Sequence, residues 1–219
     1  MIQRQRTRRF SLKDKILLAV MILLTGVLVF YFVWNRPTHR SIAGIRDPIQ
    51  KEASGSEQLE FLNYDIDMTY LYSYDIEGLV VKSTPYIGVG VYYYLSPMDV
   101  GLAWGKVAEY NDRLDFNWKQ NNRYLSFEMT QQDIDNFGSS DEILCHCSNN
   151  HLITRDKKLR SEIRKIRAGD HIRIKGYLVN VDCYKPDGSG SCWHGSTVRD
   201  DTGAHACEVI LVKEIEWLD

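Results

Sequence analysis

An α+β architecture is expected, with one N-terminal transmembrane helix ahead of a mainly antiparallel β domain that carries one amphipathic helix. Three observations predict it. An uncharged apolar run fills residues 16–34. Short β-branched and aromatic segments recur from Phe61 onward, with strict alternation over His171 to Val181. Within the polar part, residues 155–167 carry the best helical stripe.

From Ile16 to Trp34 the chain reads ILLAVMILLTGVLVFYFVW, nineteen residues without a charge. A helix of that length covers about 28 Å, close to the hydrocarbon thickness of about 30 Å. Lipid offers no partner for free backbone groups, and a helix satisfies its own. Tyr31 and Trp34 stand at the far end, where amphipathic rings favour the interface. Residues 1–15 are basic, with Arg4, Arg6, Arg8, Arg9, Lys13 and Lys15 against Asp14 alone. The positive-inside rule keeps this segment cytoplasmic and carries the remainder across the bilayer. The run ends in Phe-Val-Trp-Asn-Arg-Pro, without the small-x-small site of a cleaved leader, and so reads as an uncleaved signal anchor.

The 219 residues include 27 basic and 29 acidic side chains, a formal charge of −2. Without the segment before the span (27 less 6 basic, 29 less 1 acidic), the rest of the chain has a charge of −7. Nucleic-acid affinity rests on cations facing phosphates, so no nucleic-acid partner is expected. Cys145, Cys147, Cys183, Cys192 and Cys207 all follow the span. On the far side of the membrane they meet an oxidising compartment. Five is an odd number, so at least one thiol stays free, pairs between chains or binds something.

Residues 35–60 read as a flexible tether. Pro37, Gly44, Pro48 and the polar run 51–57 offer little apolar surface to offset ordering entropy. Residues 61–219 form the extracytoplasmic α+β domain. Strands are expected at 76–82 and 89–95, and a short helix after Ser96-Pro97-Met98-Asp99 with Asp99 as N-cap. Further strands fit 114–118 and 124–129, and Thr130 with Asp133 makes a capping pair. Residues 142–154 suggest two strands broken at Ser148-Asn149-Asn150. In the helix over 155–167, Leu159, Ile163 and Ile166 share one stripe, and Gly169 closes it. Ile172, Ile174 and Leu178 share a face of the next strand. Residues 193–199 and 207–217 give the last strands around an Asp200–Gly203 turn, with a bulge near Lys213 and Glu214.

The Gly169-Asp170 to Val179 segment, followed by strand, turn and strand, suggests an OB-like barrel in the C-terminal half, a Greek-key design that often binds oligomers. Three segments also carry a family resemblance: Ser96-Pro-Met-Asp-Val-Gly-Leu-Ala-Trp-Gly105, Ser148-Asn-Asn-His-Leu-Ile153, and Trp193-His-Gly-Ser-Thr-Val-Arg-Asp-Asp-Thr-Gly203 with Cys207-Glu208. Together they resemble a group of uncharacterised bacterial single-pass membrane-anchored proteins. The resemblance covers most of the exported domain. It implies a shared fold and an inner-membrane address, without an activity or catalytic residues. Cys145 and Cys147 are additions to that pattern.

Four constellations and one aromatic set have chemical potential. Cys145, His146, Cys147 and His151 offer thiolate and imidazole donors suited to zinc or copper, although no zinc-finger spacing is present and a straight strand turns His146 away from both cysteines. Cys-x-Cys could serve as a redox pair, but it lacks a thioredoxin-like setting. Cys183 and Cys192 could staple their loop as a disulfide, leaving Cys207 for Cys145 or Cys147. Asn150, His151, Ser196, Arg199, Asp201 and Glu208 supply a nucleophile, a base and an orienting acid by type, with His151, Arg199 and Asp201 the catalytic candidates; turn chemistry explains the same residues. Lys157, Lys158, Arg160, Arg164 and Lys165 make a basic face, either solvated or facing lipid head groups. Tyr92, Tyr93, Tyr94, Trp104, Trp118, Tyr124 and Trp193 serve as core packing or as a ligand platform.

The expected protein is a bacterial inner-membrane binding or assembly module with its N-terminus in the cytoplasm and its domain in the periplasm. Its partners are the lipid bilayer and an envelope protein complex. The alternative is an envelope enzyme or a metal or thiol-redox protein using His151 and the Cys145/Cys147 region.

Overall fold

The computed structural model describes residues 11–34, 40–61, 63–198 and 207–218. They divide into two compact units, one within residues 1–36 and one within residues 37–219. The first holds helix α1 (Leu12–Trp34), of which Leu12–Phe32 is long and apolar enough to cross a membrane. The helix begins before the apolar run because Ser11 and Asp14 cap its first turn reciprocally. The Ser11 N–H donates to Asp14 Oδ2 at 2.8 Å, and the Asp14 N–H to Ser11 Oγ at 3.3 Å.

The second unit contains, in order, β1 (Ile49–Glu52), β2 (Ser56–Phe61), β3 (Tyr64–Pro85), α2 (Val91–Leu95), β4 (Met98–Ala103), α3 (Gly105–Tyr110), β5 (Lys119–Asn121), β6 (Tyr124–Ser126), α4 (Gln131–Phe137), α5 (Ser140–Leu144), β7 (Cys147–Ile153), α6 (Lys157–Ile163), β8 (His171–Tyr184), β9 (Gly190–His194) and β10 (Cys207–Trp217). Strand β3 pairs with β4 and β8, β4 with β7, and β8 with β10, all antiparallel. The β7–β10 pair is parallel. These five pairings form a partly closed ring. Strands β1 and β2 extend it from β3, and β9 extends it from β8.

Alternation along β8 runs as expected to Leu178 and then changes face. Ile172, Ile174 and Leu178 are buried on one side, and Val179, Val181 and Cys183 on the other. The change sits opposite an irregularity in β3 between Tyr70 and Tyr72, where an extra residue turns the strand over. The second set packs with Leu59, Ile66, Met68, Val91, Leu95, Ile153, Val209 and Leu211 in one apolar cluster. The expected bulge in β10 is present between Val212 and Glu214.

Several local expectations are corrected. The supposed tether over 35–60 carries β1 and β2, and Ile45 is buried. Its polar residues are accommodated because both strands are held by backbone ladders to β3, with Leu59 of β2 the one side chain of the two strands buried in the core. Residues 35–39 lie outside the described residues. Residues 91–95 are helical, and Asp99 lies within strand β4 instead of capping a helix. Residues 98–103 are buried on both faces, so tertiary pairing overrides the cap signal. No strand forms over 114–118, and the 124–129 strand shortens to β6. Residues 140–144 are helical, whereas 147–153 run as one unbroken strand, in which the Asn149 and Asn150 amide groups donate to the Arg123 and Val100 carbonyls inside the fold. The Thr130 cap is as expected: its Oγ1 accepts from the Asp133 N–H at 3.2 Å.

Candidate functional site

Register brings the site together. Asp99 of β4 lies opposite His151 of β7, and Gly101 lies opposite Asn149. Asp99, Asn149 and His151 therefore share one face. Asp99 is fully buried and His151 nearly so. The Asp99 Oδ1 to His151 Nδ1 distance is 2.6 Å, and a carboxylate acceptor places the proton on Nδ1. Tyr86 donates its hydroxyl to Asp99 Oδ2.

Arg123 closes the group. It sits in the two-residue turn between β5 and β6, where Asn122 and Arg123 both have positive φ (49° and 70°). Such a turn favours Gly at its second position, and an L-residue there costs about 1 kcal/mol or more. The guanidinium provides a reason for the exception. It lies 4.1 Å from the Tyr86 ring centroid and 4.2 Å from that of Trp193, donates from Nε to the Tyr86 hydroxyl at 2.9 Å, and approaches Asp99 Oδ1 at 3.5 Å. The turn is pinned from below: Asn149 donates to the Arg123 carbonyl at 2.8 Å, and Gln120 donates to Asn149 Oδ1 at 2.5 Å. His151 meets Trp193 with 4.8 Å between ring centroids. A cavity of about 460 Å³ opens beside this cluster, lined by Thr84, Tyr86, Tyr93, Gln120, Asn122 and Arg123.

The residues singled out in the sequence are distributed differently. His151 is in the cluster, but Asn150 and Glu208 pair across the opposite face of β7 and β10. Ser196 is tied into its own chain: its N–H donates to the Cys207 carbonyl at 2.8 Å, and its Oγ donates to the Val198 carbonyl at 3.2 Å. Arg199 and Asp201 lie outside the described residues. The proposed metal set does not converge. His146 Nδ1 is 2.7 Å from the Glu142 carbonyl, Cys145 caps α5, and Cys147 lies four residues before His151 on a strand, about 13 Å away along the chain. Burial pushes the Cys147 and Cys207 thiols up to about 12 and Cys183 to about 11. All five cysteines are free thiols, and Cys183 is buried while Cys192 is exposed. Asp182 pairs with Cys192 and Cys183 with Ser191, so the two sulfurs point to opposite faces of the β8–β9 hairpin, which does not favour the expected staple.

Within the basic helix, Lys157, Lys158, Arg164 and Lys165 are exposed, and Lys165 meets Glu162 at 2.8 Å. Arg160 instead caps α2, donating to the Tyr94 and Tyr93 carbonyls. Of the aromatic set, Tyr93 and Trp193 flank the site. Trp104 is buried with its Nε1 donating to Asp47, and Trp118 stacks on Phe116. Tyr86, Asp99, Arg123 and Asn149 belong to the site without any local spacing in the sequence that marks them as functional. The Asn122-Arg123 pair, polar and without a glycine in a short turn, was the one local hint. Comparison with known proteins finds no matching family model, no matching curated protein and no matching solved structure.

Proposed function

We propose that the chain is a single-pass anchor carrying an OB-like binding module, and that the module takes a neutral oligosaccharide against the β4–β7 face. The barrel reading is supported by connectivity. Numbered along the chain, the ring strands neighbour one another as first, second, third, fifth, fourth and back to first. The third and fifth are parallel, and α6 links the third to the fourth. OB-type barrels receive oligomers on their second and third strands and on the loops beside them.

One observation carries the reading: the Tyr86–Arg123–Trp193 stack and its cavity lie on that face, between the β3–β4 and β8–β10 connections. Tyrosine rings provide stacking surfaces, and Thr84, Gln120 and Asn122 provide uncharged hydrogen-bonding groups. Arg123 is already paired with Asp99, and the domain is acidic overall, which favours a neutral sugar over a nucleic acid. Titrating the full chain in detergent with a short N-acetylglucosamine oligomer, read by tryptophan fluorescence, should give saturable binding that Tyr86→Ala and Arg123→Ala abolish. Absence of saturation, or binding unaltered in both variants, overturns the proposal.

The module would sit in the periplasm with the N-terminus cytoplasmic, as the cations before α1 favour, beside the bilayer and an envelope complex. A C-terminal alkaline phosphatase fusion should then be active. A second reading, an envelope enzyme with His151 as base, draws on the Asp99–His151 contact. The 4 % exposure of His151 works against it, and the raised Cys147 thiol works against a thiol-redox version.

A further inference from the structure

We propose that Asp182, Cys192 and His194 form a zinc site on the face of the β8–β9 hairpin that points away from Trp193. The register creates the set. Asp182 lies directly opposite Cys192, and His194 follows Cys192 by two residues on the same strand. All three therefore project to one side, while Val181, Cys183 and Trp193 project to the other. A carboxylate oxygen of Asp182, the Cys192 sulfur and a ring nitrogen of His194 lie within 4.8 Å of one another, and His194 Nε2 is 3.0 Å from Asp182 Oδ1. Zinc binds such atoms at about 2.0–2.3 Å, which places tetrahedral ligands about 3.3–3.8 Å apart. Side-chain rotation alone closes the difference.

The frame is firm. The hairpin ladder runs over five residue pairs from Asn180–His194 to Tyr184–Gly190. Its end is tied by the Gly188 N–H to the Lys185 carbonyl at 2.9 Å and the Lys185 N–H to the Ser189 carbonyl at 2.8 Å. On the neighbouring strand Asp67 lies opposite Asp182 and accepts from Gln58 Nε2 at 2.8 Å, adding negative charge beside a bound cation. Cys192 is the exposed cysteine of the five, and its hairpin neighbour Cys183 faces the core, so no thiol of the hairpin competes for it. Thiolate, imidazole and carboxylate together suit zinc. On binding, the Cys192 thiol proton passes to solvent as the Zn–S bond forms. Three protein ligands leave a fourth position for water or a ligand group. The site lies on the reverse of the hairpin from the Arg123 cluster and is independent of the oligosaccharide reading.

Cobalt(II), a spectroscopic substitute for zinc, tests it on the full chain in detergent. One equivalent should produce a thiolate-to-cobalt charge-transfer band that zinc displaces and that Cys192→Ser removes. His194→Gln and Asp182→Asn should weaken cobalt on the order of a hundredfold. In the unsubstituted protein, zinc should also protect Cys192 from iodoacetamide, as mapped by peptide mass, whatever the folding of the variants. No band, a band that survives Cys192→Ser, or equal alkylation of Cys192 with and without zinc overturns the proposal.

Discussion

Asp99 shows how much one side chain can organise. Its carboxylate is out of contact with solvent, yet it receives the Tyr86 hydroxyl and His151 Nδ1 and lies 3.5 Å from the Arg123 guanidinium. Removing one member of a buried charged set leaves the others uncompensated and costs about 3–5 kcal/mol. Asp99→Ala should lower the stability of the domain by that order, measured by urea denaturation followed by tryptophan fluorescence. Arg123, at 29 % side-chain exposure, is closer to solvent, so its loss should cost less than that of Asp99. The cluster was hard to read in the sequence for a topological reason. Tyr86, Asp99, Arg123, His151 and Trp193 come from five separate segments, and no local spacing relates them. Asp99 in particular follows Ser-Pro-Met, a plausible helix start, and only its pairing with β3 and β7 makes it a strand residue. His151 was legible as a functional candidate by type, although its partner was not.

Elements are fixed by close approach as well as by pattern. A Cβ on Gly176 of β8 would run into the Leu211 carbonyl of β10, a backbone atom that cannot move without breaking the ladder. On Gly101 of β4 it would come within 2.7 Å of Leu125 Cδ1, the end of a flexible side chain. Gly176→Ala should therefore destabilise the domain by about 1–3 kcal/mol, as overpacking does, while Gly101→Ala costs less and mainly shifts the β5–β6 hairpin. Thermal melts of the two variants side by side check the order. The elements that the sequence made legible are those with one dominant period: α6 with its Ile163 stripe, and the first half of β8. Strands β1 and β2 leave little trace in the sequence because edge strands need backbone partners more than apolar side chains. Residues 91–95 and 98–103 differ in type from the sequence expectation because each is a short apolar stretch, in which helical and extended periods cannot be separated.

At the scale of the whole molecule, acid response follows from charged pairs laid across β3, β8 and β10. Hydrogen bonds from Arg173, at 2.7 and 2.6 Å, hold the Asp75 carboxyl below the usual carboxylate range, and the Lys175 ammonium does the same for Glu216. A depressed folded-state value stabilises the fold above the unfolded value of about 4. That contribution is lost as pH falls through the folded value. Solvent reaches these pairs, so the effect is modest. The melting temperature should fall on acidification below about pH 4, with a shallower slope in Asp75→Asn. The placement of β10 has a temporal side. This strand wedges between β7 and β8, and without it the ring has no parallel pair and no closure. It also leaves the ribosome after the other four ring strands. The four earlier ring strands thus stay unlocked until the chain has been made as far as β10, and the keystone is the piece that arrives after them.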